Sequence, residues 1–197
     1  MALGDSYTIG QSIATEERFI NKTIALINAN GLNLKSPPQI FAQTGWTTQN
    51  LLNEIEANSI SFAPLYDIVT LLIGVNDQYQ QFDTAAYRIN FTACINKALE
   101  FSGNRRNRVF VLSIPDYGAT AFGSSNAVQI GKEIDQYNAI NKQITLQMKI
   151  NYINITPSSR KADNDATLVA IDGLHPSGKE YLKWAKLLLP KILPLLK

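Results

Sequence analysis

Asp67-Ile68-Val69-Thr70-Leu71-Leu72-Ile73 is a near-continuous apolar run of strand length, closed by the turn signal Gly74-Val75-Asn76-Asp77. A strand wet on one face alternates apolar and polar residues. A run without alternation reads as a strand covered on both faces, which is the signature of a parallel sheet. Parallel neighbours need long crossover connections, normally helices, so helical segments are expected on either side of this run. Downstream, the pattern predicts a helix over Thr84–Phe101 ending near Gly103, then a strand over Arg108–Ser113 stopped by Pro115. A long helix from about Ala127 to Lys149, a strand over Asn151–Ile155 and a last helix over Ser177–Leu189 follow. In the last helix Tyr181, Trp184, Ala185 and Leu188 fall at i, i+3, i+4 and i+7, one apolar stripe. Upstream, Met1–Leu3 predicts the first strand and Thr15–Asn30 a helix with Glu16 and Glu17 in its first turn and Gly31 at its stop. Pro37-Pro38 announces a strand over Gln39–Gln43, and Thr47 or Thr48 caps a helix running to about Ala57.

Strand and helix alternate along the whole chain, without internal repeat or low-complexity linker. The expectation is an α/β protein: one domain over residues 1–197, a three-layer α/β/α sandwich on a five-stranded parallel sheet. Sheets of this kind bind ligands outside the carboxyl ends of their strands. Ser6 follows the first predicted strand, Gly45 the second and Asn76 the third, so all three belong to one edge of the sheet.

Bulk properties narrow the field. The 197 residues are 45% hydrophobic and 17% charged with a net charge of +2, an ordinary globular balance that gives no argument for nucleic acid or an anionic membrane. The one basic run, Arg105-Arg106-Asn107-Arg108, reads as a solvated turn. Cys94 is the only cysteine, so an intrachain disulfide or thiolate cluster is out of reach; in Phe91-Thr92-Ala93-Cys94-Ile95 it reads as a small core residue. No apolar run has the length of a membrane span; the C-terminal candidate is interrupted by Pro190, Lys191 and Pro194. The chain shows no signal peptide, and only Met1-Ala2-Leu3 precede Gly4, a very short first strand. The compartment stays open between cytoplasm and export to a periplasm.

The chemistry concentrates in a few residues. His175, the only histidine, lies in Asp172-Gly173-Leu174-His175-Pro176, with an aspartate three positions upstream to orient it. Gly4-Asp5-Ser6-Tyr7 offers a serine in a tight turn leaving a strand, where Gly4 lets the backbone bend without a Cβ clash. A serine hydroxyl needs a neighbouring base to become a nucleophile. Ser6, His175 and Asp172 together supply nucleophile, base and orienter, and Pro176 suits the first turn of the last helix. The backbone N–H groups of Ser6 and Gly45 and the neutral side-chain amide of Asn76 are candidate donors to an oxyanion. Each has a bland reading alone: Gly-Asp-Ser and Gly-Val-Asn-Asp are common turn sequences, and Gly45 serves a left-handed turn. Their co-occurrence at successive strand ends is the signal.

The ordered set Gly4-Asp5-Ser6-Tyr7, Gly45 in Thr44-Gly45-Trp46, Gly74-Val75-Asn76-Asp77 and Asp172 to His175 resembles the SGNH/GDSL hydrolase family over essentially the whole chain, with Tyr7 where the family name has leucine. The resemblance implies a flavodoxin-like sheet order 2-1-3-4-5, metal-free serine ester hydrolysis without a cofactor, and Asp5 and Asp77 as structural groups bonding loop backbone. A small-molecule ester is then the expected partner. The family also includes lysophospholipases, thioesterases, aryl esterases and carbohydrate deacetylases.

Trp46, Tyr79, Tyr117 and Phe122 are candidates for an aromatic rim at the substrate pocket, the last two from the loop after the fourth strand. No lid-sized insertion is visible, which favours small or short-chain acyl esters over long-chain triglycerides. The alternatives are a carbohydrate O-acetylesterase, lysophospholipase or thioesterase on the same site, and a catalytically silent binding module. A flavodoxin-type carrier lacks its phosphate-cradling first loop, and a dehydrogenase its Gly-x-Gly-x-x-Gly. A metal hydrolase would draw on Asp163, Asp165, Asp172 and His175, although Lys161–Asp165 reads as a solvated loop.

Overall fold

The computed structural model describes residues 1–58 and 65–197. Five strands, β1 (Ala2–Gly4), β2 (Ile40–Ala42), β3 (Val69–Leu72), β4 (Val109–Leu112) and β5 (Asn151–Ile153), form one parallel sheet in the order β2-β1-β3-β4-β5. The three inner strands are buried throughout, which is why β3 and β4 carry no polar alternation. The edge strands β2 and β5 are half-buried and more mixed.

Around the sheet run α1 (Ser6–Ile9), α2 (Phe19–Ala29), α3 (Thr48–Ala57), α4 (Val75–Tyr79), α5 (Thr84–Phe101), α6 (Ala127–Gln147), α7 (Thr156–Ser159) and α8 (Gly178–Leu196). Crossovers between parallel strands are right-handed. The β1-to-β2 connection moves outward one way and every later one moves the other way, so α2 takes the face opposite α3, α5 and α6. Accordingly α2 packs on α8, while α3, α5 and α6 pack side by side.

Three expectations are corrected. The first predicted helix is broken: Thr15–Glu17 is a single 3₁₀ turn, Arg18 is extended, and α2 begins at Phe19. The break seats Phe19 fully in the core against Tyr181 and Trp184, 6.0 Å from each ring centre. The last helix does not stop at Leu189 but continues through Pro190 and Pro194 to Leu196. Both prolines lie on its exposed side, where carbonyls freed by a missing N–H reach water, while Leu188 and Ile192 hold the opposite side in the core. Pro176 precedes that helix instead of starting it; Ser177 is the cap, accepting from the Glu180 N–H, and Pro176 makes a β-bridge with Val169.

Thr47 caps α3 in a capping box with Asn50. Cys94 is buried, its thiol pushed up by desolvation. The arginine run closes helix ends: Arg105 donates to the Ser102 carbonyl after α5 and Arg106 to the Met148 carbonyl after α6. No helix among the described residues is long and apolar enough to cross a membrane.

Candidate active site

The carboxyl ends of β1, β2 and β3 open onto one edge of the sheet, and three loops converge there. β1 leaves the sheet through Gly4, where a Cβ would run into the Leu72 carbonyl and the Thr8 hydroxyl. Glycine is required by crowding between β1, β3 and α1, not by an unusual bend. Asp5 then caps α1, its Oδ1 accepting from the Tyr7 N–H at 3.0 Å, and Ser6 becomes the first helical residue. A first-turn N–H has no partner within its helix, and neither the Ser6 nor the Gly45 N–H meets a protein acceptor among the described residues. Tyr181 donates to the Tyr7 carbonyl at 2.7 Å, anchoring α1 to α8.

His175 arrives from the far end of the chain on a tight loop closed by Ala170 N–H to His175 C=O (2.7 Å) and the Val169–Pro176 bridge. Asp172 organises this loop: Oδ1 accepts from the backbone N–H of both Leu174 and His175 at 2.9 Å, which accounts for the three-residue spacing. Its Oδ2 lies 2.6 Å from His175 Nδ1, and His175 Nε2 lies 2.9 Å from Ser6 Oγ. Serine and imidazole are both buried, and the Tyr7 ring lies 5.4 Å from the imidazole. Desolvation opposes a charge on Asp172, but the Ser12 hydroxyl, the two N–H groups and the imidazole together hold its carboxyl well below the usual range. A negative Asp172 pins the neutral imidazole in the tautomer with hydrogen on Nδ1, leaving Nε2 as the acceptor facing Ser6.

Asn76 shares a hollow with Ser6 and His175, and the Gly45 loop adjoins Asn76 through the Trp46 carbonyl. Gly45 has φ +82° with open space where a Cβ would stand, so glycine is there for its backbone conformation. Asn76 Nδ2 donates to the Trp46 carbonyl at 2.9 Å, which holds its amide against the Gly45 loop. Asp77 locks the same loop from below: its two oxygens accept from the Thr48 N–H (2.9 Å) and hydroxyl (2.5 Å) at the start of α3. Asp5 and Asp77 therefore bond backbone N–H groups, but those of the first turns of α1 and α3 and not of loops.

Tyr79, Tyr117 and Phe122 line a hollow of about 160 Å³ together with Ser6, Asn76 and His175. Their ring centres stand 6.2–6.3 Å apart, so they pack on one another as a continuous aromatic wall. Trp46 is placed elsewhere; its ring packs on Phe41 at 5.4 Å and only its carbonyl faces Asn76. Ser12 and Gln11 are the residues missed from sequence. Ser12 adopts φ +65° and places its hydroxyl where it favours the charged form of Asp172, while Gln11 accepts from the Thr44 hydroxyl at 2.6 Å. One short loop thus ties the acid of the trio to the Gly45 loop, a link that no spacing or periodicity encodes.

The GDSL-like lipase/acylhydrolase family matches residues 2–181. The chain belongs to this family. Membership makes it an ester-hydrolysing enzyme. Solved structures agree in fold: a lipase/acylhydrolase from Enterococcus faecalis is 20% identical with a TM-score of 0.74, over 100% of this chain and 95% of that one. The lipase Lip_vut3 from a goat rumen metagenome is 21% identical with a TM-score of 0.75, over 96% and 95%. An acetylxylan esterase from Geobacillus stearothermophilus is 17% identical with a TM-score of 0.68, over 97% and 92%. No curated protein sequence matches the chain.

Among the described residues of this GDSL-family chain, no group of three or more His, Cys, Asp or Glu is placed to hold a metal ion. Asp165 instead pairs with Lys179 at 2.9 Å and caps the turn at Thr167. Asp5 has a different electrostatic position: burial pushes its carboxyl up to about 8, and its Oδ2 has no partner among the described residues. A raised folded-state value contributes stability below the unfolded value of about 3.9 that is lost as pH climbs through the folded one. Asp5→Asn removes that loss while keeping the oxygen that accepts from Tyr7. The Tm advantage of the variant over the parent is expected to grow between pH 4 and pH 8.5; a difference that stays constant with pH contradicts the assignment.

Proposed function

We propose that Ser6, His175 and Asp172 form the catalytic triad of a carboxylic ester hydrolase acting on short-chain acyl esters. The observation that carries this is the unbroken hydrogen-bonded line from Asp172 Oδ2 through the imidazole to Ser6 Oγ, at 2.6 and 2.9 Å. Ser6 attacks the ester carbonyl as His175 Nε2 takes its proton. The same nitrogen returns the proton to the departing alkoxide, and a water activated by His175 then releases the acid from Ser6. Charge on the carbonyl oxygen is met by the N–H groups of Ser6 and Gly45 and by the Asn76 amide, whose second N–H is left over from its bond to Trp46.

Size sets the acyl group. The hollow of about 160 Å³ beside Ser6 is close to the volume of about 150 Å³ that accommodates benzene, so acyl chains of about six carbons fill it. Across p-nitrophenyl esters from acetate to palmitate, kcat/KM is expected to be highest between acetate and hexanoate. A rate for palmitate equal to that for butyrate would remove the short-chain reading.

The oxyanion role has its own test. Asn76→Ala is expected to lower kcat for p-nitrophenyl butyrate by about 10²–10³-fold with KM little changed, the usual cost of one donor. A fall of less than threefold would take Asn76 out of the oxyanion hole.

A further inference from the structure

Tyr7 is buried directly after the nucleophile, and its ring lies 5.4 Å from the imidazole of His175 at an interplanar angle of 58°. Among the described residues it is the aromatic ring in contact with that imidazole. Its backbone is held on both sides, the N–H donating to Asp5 Oδ1 and the carbonyl accepting from the Tyr181 hydroxyl. Its own hydroxyl makes no hydrogen bond to a described residue. What the position uses is therefore the ring. The leucine of the family name would supply apolar bulk there but no aromatic quadrupole.

We propose that Tyr7 is a positioning residue whose ring stabilises the imidazolium that forms at His175 during turnover. The inference rests on the triad reading above and adds a partner to its base. As Ser6 Oγ bonds to the carbonyl carbon its proton passes to Nε2, so a positive imidazole and a negative carbonyl oxygen appear together. His175 is buried, and water does not solvate that cation. Asp172 meets the charge at the Nδ1 edge, 2.6 Å away. The Tyr7 ring meets it a second time, since a cation is drawn to an aromatic ring within about 6 Å and more strongly where both are desolvated. The neutral imidazole gains little from the same contact. The interaction is thus made chiefly in the transition state, which is the condition for raising kcat.

The other groups near the imidazole are committed elsewhere. Asp116 and Glu180 share a small cavity with Tyr7 and His175. Asp116 is paired with Arg160 at 2.8 Å, and Glu180 with Lys183 at 3.2 Å and the Trp184 N–H at 2.8 Å. Tyr79, Tyr117 and Phe122 pack on one another as the wall of the acyl hollow. Leu174 borders the same hollow but is aliphatic. Tyr7 itself borders that hollow as well, so truncating it changes space along with charge. A decisive test varies the electrons of the ring at nearly constant size.

The full chain is prepared as Tyr7→Leu, as Tyr7→Phe, and as Tyr7→Phe with one, two or three fluorines on that ring. Fluorine drains the quadrupole while adding little volume. For p-nitrophenyl butyrate, kcat is expected to fall stepwise with fluorine count, by about fivefold or more from none to three, with KM little changed. The affinity for 1,1,1-trifluoro-2-hexanone, which Ser6 adds to as an anionic hemiketal beside a protonated His175, is expected to weaken by the same factor. Tyr7→Leu is expected to lose about tenfold in kcat, and Tyr7→Phe to restore it to within about threefold of the parent. Where Tyr7→Leu does not fold by circular dichroism, the fluorinated series decides alone. A kcat and an affinity that do not vary with fluorine count, or a Tyr7→Phe variant as impaired as Tyr7→Leu, overturn the inference and leave the triad reading standing. Absence of butyrate hydrolysis by the parent, or its full retention in Ser6→Ala, overturns both.

Discussion

Replacing Ser6 by alanine is expected to lower kcat for p-nitrophenyl acetate by at least about 10³-fold, the scale on which loss of a nucleophile is felt in triad enzymes. Among the described residues the side chain makes a single protein hydrogen bond, to His175 Nε2, and α1 is held by Asp5 at its start and by the Tyr181 bond to the Tyr7 carbonyl. Nothing in the packing depends on the hydroxyl, so Tm and circular dichroism are expected to match the parent. That separation makes the variant informative: activity disappears while the fold stays. Residual turnover within tenfold of the parent would mean that water, and not Ser6, attacks the ester.

The second large effect belongs to Asp172. Asp172→Asn preserves the oxygen that accepts from Leu174 and His175 N–H groups, but presents an N–H donor to His175 Nδ1 in place of a carboxylate. The imidazole must then carry its proton on Nε2, facing Ser6, and can no longer accept from it. A loss of about 10⁴-fold in kcat is expected, as for a triad in the wrong tautomer. Combining it with Ser6→Ala is expected to cost no more than Ser6→Ala alone, because the groups act as a unit. The sign of the pH dependence follows. Hydrogen bonds hold the Asp172 carboxyl well below the usual range, so it stays negative wherever the enzyme is assayed. Its charge keeps the neutral imidazole in the tautomer whose Nε2 accepts from Ser6. The stability that Asp172 contributes is present above the unfolded carboxylate value of about 3.9 and is lost as pH falls towards its folded one. A single Asp172→Asn variant within tenfold of parent kcat would refute the orienting role.

Much of this was legible in sequence because the determinants are periodic or local. The unalternating run through β3 marks a strand covered on both faces, and the stripe of Tyr181, Trp184, Ala185 and Leu188 marks the buried side of α8. Asp172 and His175 are readable as a pair because both bonds that set their spacing lie within one loop. The failures share a different cause. The short helices α1, α4 and α7, of four or five residues, are too brief to show a period. The break at Arg18 and the passage of α8 through Pro190 and Pro194 are decided by which side faces the core, a tertiary fact. Ser12 reaches Asp172 across 160 positions through a left-handed backbone no serine advertises.

The central claim is that a base at one end of the chain makes a nucleophile of a serine at the other. Covalent labelling tests it most directly: the protein is treated with a fluorophosphonate and the modified residue is located by peptide mass mapping while activity is followed on the same sample. One label per chain on the peptide carrying Ser6, appearing in step with loss of esterase activity and absent from Asp172→Asn protein, is the expected result. A label on any other residue, or full activity with Ser6 modified, contradicts it.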